Sequence, residues 1–322
     1  MTKINVITNK NTFTIKHGSF QSDVMSGLSG LKKTLPCRWL YDNLGSELFE
    51  EITRVPEYYP TRTETIILQT YIREIADFAG RNAILVEYGA GAGIKTETLI
   101  AALQSLALDC YIPVDIAGEF LEETASRIQG KFPHLSIKPV VSDFMTDFAL
   151  PPNLLGTRRV AFFPGSTIGN LSPKQAGDFL RRMRNHVGPE GAAIIGFDLK
   201  KDVETMISAY DDKAGITSKF NLNLLTRINR ELEGNFELSR FKHSARWNEE
   251  ESAIEMHIVS LEEQIATVGM FNFHFRAGET IHTESSRKYD VKGFEMLANA
   301  NGWKMDHIWR DSDNKFGIAG LR

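Results

Sequence analysis

Short apolar runs alternate with helical stretches from about residue 64 to residue 199 of this 322-residue chain. Each apolar run is predicted to be a strand, and the runs lie near Ile84–Glu87, Cys110–Val114, Ile137–Val141, Arg159–Phe163 and Ala192–Phe197. The helical stretches lie near Glu64–Gly80, Thr96–Leu106, Ala117–Phe132 and Pro173–His186. Strands that alternate with helices predict a parallel sheet with helices on both of its faces.

A different pattern follows Leu199. Two helical stretches come first, at Val203–Tyr210 and Lys219–Leu232. Two alternating runs follow, at Ile254–Leu261 and Thr267–Arg276, and they predict antiparallel strands. A predicted helix at Asp290–Ala300 then precedes a final strand, turn and strand at Trp303–Arg322. A parallel sheet that ends in such a hairpin resembles the class I methyltransferase fold. That fold is a Rossmann-like α/β fold, with a seven-stranded sheet whose last strand is antiparallel.

The terminal hairpin belongs with the sheet, so the two predicted domains are interleaved in sequence. Residues 63–199 and 288–322 are expected to form the methyltransferase domain. Residues 1–62 and 200–287 are expected to form a second, α+β domain that binds the substrate.

Three alternating glycines follow the first predicted strand, in the run Glu87-Tyr88-Gly89-Ala90-Gly91-Ala92-Gly93. At a turn from strand to helix, glycines tolerate positive φ and let the backbone approach a ligand closely. The spacing is GxGxG, which differs from the GxGxxG of dinucleotide-binding folds, and the chain has no GxxxxGK[ST] phosphate loop. The loop therefore favours a nucleoside without phosphates over a pyrophosphate ligand. The carboxylate of Glu87 could bind a nucleoside that carries a positive charge.

Acidic residues also end the second and third predicted strands. In open α/β sheets, ligands bind at the carboxyl ends of the strands. Asp115 is placed to accept two hydrogen bonds from the hydroxyls of a ribose, and Asp143 to accept one from the amine of adenine. Phe144 is placed to pack on the adenine ring. A ribose, an adenine, a cationic sulfonium and no phosphate describe S-adenosylmethionine (SAM), which we therefore predict as the cofactor.

Composition restricts the possible partners. The formal net charge is −4 and the basic residues form no block, so the sequence does not indicate a nucleic-acid partner. No apolar run approaches the length of about 20 residues that a membrane helix needs, which argues against a membrane partner. The two cysteines and eight histidines show no metal-binding spacing, so no metal is expected. We expect a cytoplasmic monomer.

Further segments carry a resemblance to a known family. They are Trp39–Thr53, Pro56–Glu64, Gly165–Leu171, Ala209–Thr217, Ile254–Met256 and Thr283–Ser286. In these segments the chain resembles the histidine Nα-methyltransferases of ergothioneine biosynthesis, which make hercynine from histidine and SAM. The resemblance covers nearly the whole chain from about Leu31 onward.

The resemblance implies a role for each matching residue. Asn170 and Tyr210 would bind the α-carboxylate of the substrate, with Tyr58 at the same end. Tyr41 would lie near the amine as the catalytic residue, and Phe49 would help to wall the pocket. The imidazole would be recognised by the remaining matching residues, which are Met256, Glu284 and Ser286. The SAM contacts would be Glu87, Gly89, Gly91, Gly93, Lys95, Asp115, Asp143 and Phe144.

These expectations describe an enzyme that methylates L-histidine three times and releases S-adenosylhomocysteine. The sulfonium is already activated, so the enzyme needs to align a neutral amine more than it needs a strong acid or base. Two alternatives remain open from the sequence. One is a related enzyme that N-methylates an indole amino acid of the tryptophan type, and the other is a non-catalytic sensor of SAM or of an amino acid.

Overall fold

The computed structural model describes residues 18–152 and 158–322. Its α-helices are α1 Phe20–Ser29, α2 Asn43–Ile52, α3 Tyr59–Ala79, α4 Ile94–Gln104, α5 Gly118–Lys131, α6 Pro173–Val187, α7 Val203–Ser208, α8 Ile216–Glu231 and α9 Val291–Asn299. Its strands are β1 Lys33–Thr34, β2 Ala83–Tyr88, β3 Cys110–Asp115, β4 Ser136–Ile137, β5 Val140–Val141, β6 Arg158–Phe163, β7 Ala192–Asp198, β8 Phe241–Asn248, β9 Ala253–Ser260, β10 Gln264–Val268, β11 Phe271–Phe275, β12 Thr280–Arg287, β13 Met305–Arg310 and β14 Phe316–Leu321.

The described residues form two compact units. The larger unit comprises Glu50–Ala209, Trp247–Ile254 and Ser286–Arg322, and the smaller unit comprises the described residues up to Phe49, Tyr210–Arg246 and Glu255–Ser285. The first 17 residues, where the predicted substrate domain begins, lie outside the described part. None of the described helices combines the length and the apolar character needed to cross a bilayer.

The larger unit contains the predicted sheet. Its strand order is β13-β14-β7-β6-β2-β3-β4, and β5 also pairs with β3 beside β4. Strands β2 to β7 pair in parallel, whereas β14 is antiparallel to both β7 and β13. The terminal hairpin thus inserts its last strand beside the fifth predicted strand. The predicted class I methyltransferase fold is confirmed.

Two apolar cores cover the two faces of this sheet. Along β2, Ile84 and Val86 pack into the core that includes helices α6 and α9, whereas Leu85 packs into the core that includes α3, α4 and α5. All six residues of β2 are buried. Parallel strands covered on both faces require such a continuous apolar run. The same runs that predicted strands in the sequence therefore hold the sheet between its helices.

Three predicted elements differ from the structure. The run Ile137–Val141 forms two short strands, β4 and β5, and not one. The run Thr267–Arg276 also covers two strands, because Gly269 turns the chain at a φ of +55° and β10 pairs antiparallel with β11. Helix α3 begins at Tyr59, before the predicted Glu64, because Pro60 fits the first turn, where the backbone nitrogen of proline needs no partner.

Most of a second sheet lies in the smaller unit. Its strand order is β1-β12-β9-β8, and β1 pairs with β12 in parallel. Strand β8 was not predicted, because its sequence, Phe241–Asn248, is largely polar and has no regular alternation of apolar and polar residues. Helix α8 belongs to the same unit and starts where the Asp212 carboxylate accepts hydrogen bonds from the backbone nitrogens of Ile216 and Thr217.

Candidate active site

The loop after β2 takes the left-handed backbone that its glycines predict. The φ values of Gly89, Gly91 and Gly93 are +68°, +50° and +63°. A side chain is strongly disfavoured in this region, because Cβ would crowd the following carbonyl oxygen. A Cβ atom on Gly91 would have no heavy atom within 4 Å, so open space borders the loop at this point. The loop can therefore bring its backbone close to a ligand.

Asp115 supports the loop from the end of β3. One carboxylate oxygen accepts a hydrogen bond from the Gly91 nitrogen at 3.1 Å, and the other accepts from the Ala117 nitrogen at 3.0 Å. The Thr124 hydroxyl donates to the Gly91 carbonyl at 2.9 Å. An ionised carboxylate offers about four acceptor positions, so Asp115 retains the capacity to bind a ribose diol.

Glu87 lies buried at the end of β2 and is only 1% exposed. Its carboxylate accepts hydrogen bonds from the hydroxyls of Thr96 and Tyr111. Burial raises the pKa of Glu87 to about 7, and the two hydroxyl donors oppose part of that rise. A cation bound nearby would favour the charged form of this carboxyl.

The predicted adenine residues follow β5. The Asp143 carboxylate accepts a hydrogen bond from the Met145 nitrogen at 2.8 Å. The half-buried ring of Phe144 packs on Phe163 and Phe179, with ring centroids 5.5 and 5.2 Å away. The Phe144 side chain also lies 3.6 Å from the position that a Cβ on Gly89 would take. The structure therefore brings Phe144 next to the glycine loop.

Lys95, predicted as a cofactor contact, pairs with Glu64 on α3. The lysine ammonium lies 2.5 Å from a Glu64 carboxylate oxygen, and the Gly165 nitrogen donates to the same carboxylate at 3.0 Å. The Glu64 side chain is fully buried, and it fits only because position 196 is glycine: a Cβ there would approach within 2.1 Å. Glu64 thus links the helix after the glycine loop to the Gly165–Leu171 segment.

A buried charged cluster lies at the end of β7. Asp198 accepts hydrogen bonds from the Tyr59 hydroxyl at 2.7 Å and from Lys201 at 2.6 Å, and the Lys288 ammonium is 2.9 Å away. Burial lowers the pKa of Lys201 to about 8, and Asp198 opposes that change. Lys288 also donates to the hydroxyl of Ser286 at 2.9 Å, so this predicted substrate residue is held by the cluster.

The larger unit holds two more predicted substrate residues. Tyr58 is buried just before α3, and Asn170 is half-buried at the end of a short 3₁₀ helix, Thr167–Asn170. The segment before that helix is anchored by Ser166, whose hydroxyl accepts a hydrogen bond from the Asp198 nitrogen at 2.9 Å. The structure thereby connects the Gly165–Leu171 segment to the end of β7.

In the smaller unit, Tyr41 and Phe49 lie in one aromatic cluster. The Tyr41 ring meets Phe49 and Phe220 edge to face, with centroids 5.6 and 5.4 Å away. Phe220 comes from α8 and is 6.0 Å from Phe49. Electron-rich ring faces attract cations, so this three-ring cluster suits a methylated ammonium group.

The other predicted substrate residues of the smaller unit are buried. Met256 lies on β9 and Glu284 on the neighbouring β12, and the Thr283 hydroxyl lies 3.1 Å from the Met256 carbonyl oxygen. Tyr210 is 7% exposed and follows α7. Desolvation and then the Glu284 carboxylate raise the pKa of the half-buried Cys37 thiol to about 12.

Sequence reasoning missed several of these contact residues. Glu64 could have been recognised, because it lies in the helical register of the apolar residues Ile67 and Leu68, where a carboxylate is unexpected. Asp198 ends a strand just as Glu87 and Asp115 do, so the same signal was present for it. Phe220 gave no signal, because one aromatic residue on a helix is ordinary core.

No metal-binding group of three or more His, Cys, Asp or Glu residues occurs within residues 18–152 and 158–322.

Comparison with known proteins finds similarity along nearly the whole chain. A sequence model of the histidine-specific, SAM-dependent methyltransferases matches residues 20–322. The histidine N-alpha-methyltransferases of Mycobacterium tuberculosis and Mycolicibacterium smegmatis are 40% and 38% identical to the chain, over 94% of each chain. Ergothioneine biosynthesis protein 1 of Neurospora crassa is 28% identical over 89% of this chain and 33% of that protein. The matched residues include both compact units.

Proposed function

Because the chain belongs to the family of histidine-specific, SAM-dependent methyltransferases, we propose that its substrate is L-histidine. Three successive methyl transfers to the α-amine would give Nα,Nα,Nα-trimethylhistidine, hercynine, as a step of ergothioneine biosynthesis. The observation that carries this proposal is the similarity to the two mycobacterial histidine N-alpha-methyltransferases over 94% of each chain. The Neurospora crassa relative supports the biosynthetic assignment.

The loop geometry supports the assignment of the SAM residues. Gly89, Gly91 and Gly93 would carry backbone close to the cofactor, and Asp115 would bind the ribose with the acceptor positions that it retains. The carboxyl of Glu87 would interact with the positive charge of SAM. The remaining contacts would be Asp143 and Phe144 at the adenine, and Lys95 held by Glu64. SAM supplies a methyl group on a positively charged sulfur, and its product is S-adenosylhomocysteine.

The residues that would bind histidine are those that the family resemblance assigns. Asn170 and Tyr210 would bind the α-carboxylate, with Tyr58 at the same end. The imidazole N–H would donate to Glu284, since a carboxylate is the strongest acceptor for it. Met256 and Ser286 would complete the recognition of the ring.

Alignment of a neutral amine is the main task of the enzyme. A free α-amine has a pKa of about 7.7–8.0, so a useful fraction is neutral near physiological pH. The Tyr41 hydroxyl would orient this amine, because a phenol with a pKa of about 10 is a weak base. After the first and the second transfer the amine must lose a proton before it can react again. The rings of Tyr41, Phe49 and Phe220 would stabilise the growing ammonium.

Mass spectrometry of the purified protein incubated with SAM and each of the twenty amino acids tests this proposal. We expect mono-, di- and trimethylated histidine and no methylation of tryptophan. Methylation of tryptophan and not of histidine would show that the substrate is an indole amino acid. Tight SAM binding with no methylated product would favour the non-catalytic sensor.

A further inference from the structure

A chain of buried hydrogen bonds connects three side chains of the smaller unit that have no assigned role. The Thr283 hydroxyl donates to the Asn221 amide oxygen at 2.6 Å. The Asn221 amide nitrogen lies 2.9 Å from Nδ1 of His243 and donates to the His257 carbonyl at 3.1 Å. Nε2 of His243 lies 2.8 Å from the Tyr210 carbonyl oxygen. Asn221 is fully buried, and Thr283 and His243 are 1% and 9% exposed.

The carbonyl partners fix the orientation of the Asn221 amide and the tautomer of His243. A carbonyl oxygen only accepts, so the Asn221 nitrogen must face the His257 carbonyl and its oxygen must face Thr283. The second hydrogen of that nitrogen then points at Nδ1 of His243, which must carry a lone pair. Nε2 must carry the proton that it donates to Tyr210. His243 is thus a neutral imidazole in one tautomer, and burial, which lowers its pKa, favours the same state.

The two ends of the chain meet the backbone of predicted substrate residues. One end holds the Tyr210 carbonyl. At the other end, the single hydrogen of the Thr283 hydroxyl has two acceptors, the Asn221 amide oxygen at 2.6 Å and the Met256 carbonyl oxygen at 3.1 Å, and Thr283 directly precedes Glu284. Residues that would bind the α-carboxylate and residues that would read the ring are therefore joined by a chain in which the orientation of the Asn221 amide and the tautomer of His243 are fixed.

We propose that Asn221, His243 and Thr283 are positioning residues that set the spacing between the carboxylate-binding Tyr210 and the ring-reading Met256 and Glu284, and so select the length of the amino-acid substrate. This inference rests on the proposed function, which assigns those substrate roles. A buried donor without an acceptor carries a cost in free energy, so any shift of the Tyr210 backbone away from His243 is opposed. The spacing is rigid for that reason.

Steady-state kinetics of Thr283→Val, Thr283→Ser and Asn221→Leu test this proposal. Valine matches threonine in shape but cannot donate, so we expect the KM for histidine to rise about tenfold. We expect at least the same rise for Asn221→Leu, and a near wild-type KM for Thr283→Ser, which keeps the hydroxyl. The kcat and the Kd for SAM, measured by calorimetry, should change less than twofold in all three variants.

Gln264→Met is the matched control. Gln264 is a buried amide of the same unit that donates to the Ser260 hydroxyl and the Arg240 carbonyl, and none of its hydrogen bonds reaches Tyr210 or Met256. We expect this variant to lose stability but to keep the KM for histidine. A general loss of folded protein lowers the apparent kcat and leaves KM unchanged, so the split between the two constants separates positioning from folding. An unchanged KM in Thr283→Val and Asn221→Leu would overturn the proposal.

A second measurement does not depend on activity. In ¹⁵N spectra of the wild-type protein at neutral pH, Nδ1 of His243 should appear unprotonated and Nε2 protonated, with His243→Asn identifying the signal among the eight histidines. The opposite tautomer, or a charged ring, would overturn the bonding pattern. If the wild-type enzyme methylated another amino acid instead of histidine, the proposed function would fail, and the KM for that amino acid would still decide whether the three residues position it.

Discussion

The glycine loop after β2 and the strand pair β9–β12 are both assigned to binding, but different interactions hold them in place. The loop is shaped by backbone: its glycines have positive φ, and its hydrogen bonds join the backbone of residues 89–93 to β3 and α5. The strand pair is fixed by buried side chains that come from α8, β8 and β12. Changes of backbone conformation should therefore damage cofactor binding, and losses of single polar groups should damage substrate binding.

The largest effect is expected from Gly91→Val in the loop. Valine would have to adopt a φ of +50°, and its side chain would occupy the open space beside the loop. A β-branched residue is strongly disfavoured at such a φ. We expect SAM affinity to fall by roughly a hundredfold or more, a loss of about 3 kcal/mol, with the protein still folded. Calorimetry and circular dichroism check both points, and wild-type SAM affinity would show that the loop does not approach the cofactor.

Glu284→Ala should produce the complementary defect. The imidazole N–H of histidine would lose its acceptor, a cost of about 1–3 kcal/mol or roughly ten- to a hundredfold in kcat/KM. SAM affinity should stay within twofold of wild type. Kinetics and calorimetry on the same preparation give both values, and an equal loss of histidine turnover and SAM affinity would place Glu284 outside the substrate pocket.

The pH dependence of SAM binding should be smaller. The pKa of Glu87 is raised to about 7 by burial, so its carboxyl is charged above that pH and neutral below it. A cationic cofactor prefers the charged form, and we expect its affinity to fall about tenfold between pH 8 and pH 6. Calorimetric titration at several pH values measures this change. Glu87→Gln, which cannot ionise, should make SAM affinity independent of pH over this range. If the wild-type affinity were also independent of pH, the charge of Glu87 would not contribute to SAM binding.

The smallest effect is expected from Ser172→Ala, which changes neither the loop nor the strand pair, although Ser172 follows Asn170 by two residues. Ser172 caps α6: its hydroxyl accepts from the Gln175 nitrogen at 3.3 Å, and the Gln175 side chain accepts from the Ser172 nitrogen at 2.9 Å. We expect the free energy of unfolding to fall by about 1 kcal/mol. Both the KM for histidine and the SAM affinity should stay at wild-type values. A changed KM would mean that local caps also shape the site.

The same contrast explains how much could be predicted from the sequence. The strand ends that carry Glu87 and Asp115 were predictable, because each follows an apolar run and the carboxyl ends of parallel strands share one edge. The cap at Ser172 was predictable from the serine and proline that begin the helix. These features depend on neighbours within a few residues.

The polar contacts of the smaller unit could not be predicted in this way. Asn221 bonds to His243 across 22 residues and to Thr283 across 62 residues. Which side chains meet at such distances depends on how α8, β8 and β12 pack, and the periodicity of each element does not determine that. The division of the chain into a methyltransferase domain at 63–199 and 288–322 and a substrate domain stays a prediction, as do the assigned site residues.

The most direct test of the proposed function is an NMR time course of the purified protein with L-histidine and excess SAM that carries a ¹³C-labelled methyl group. The proposal predicts transient signals from mono- and dimethylated α-amine, followed by one trimethylammonium signal. Three molecules of S-adenosylhomocysteine should form for each histidine consumed. A methyl signal on an imidazole nitrogen, or a reaction that stops after one transfer to the α-amine, would contradict the proposed conversion of histidine to hercynine.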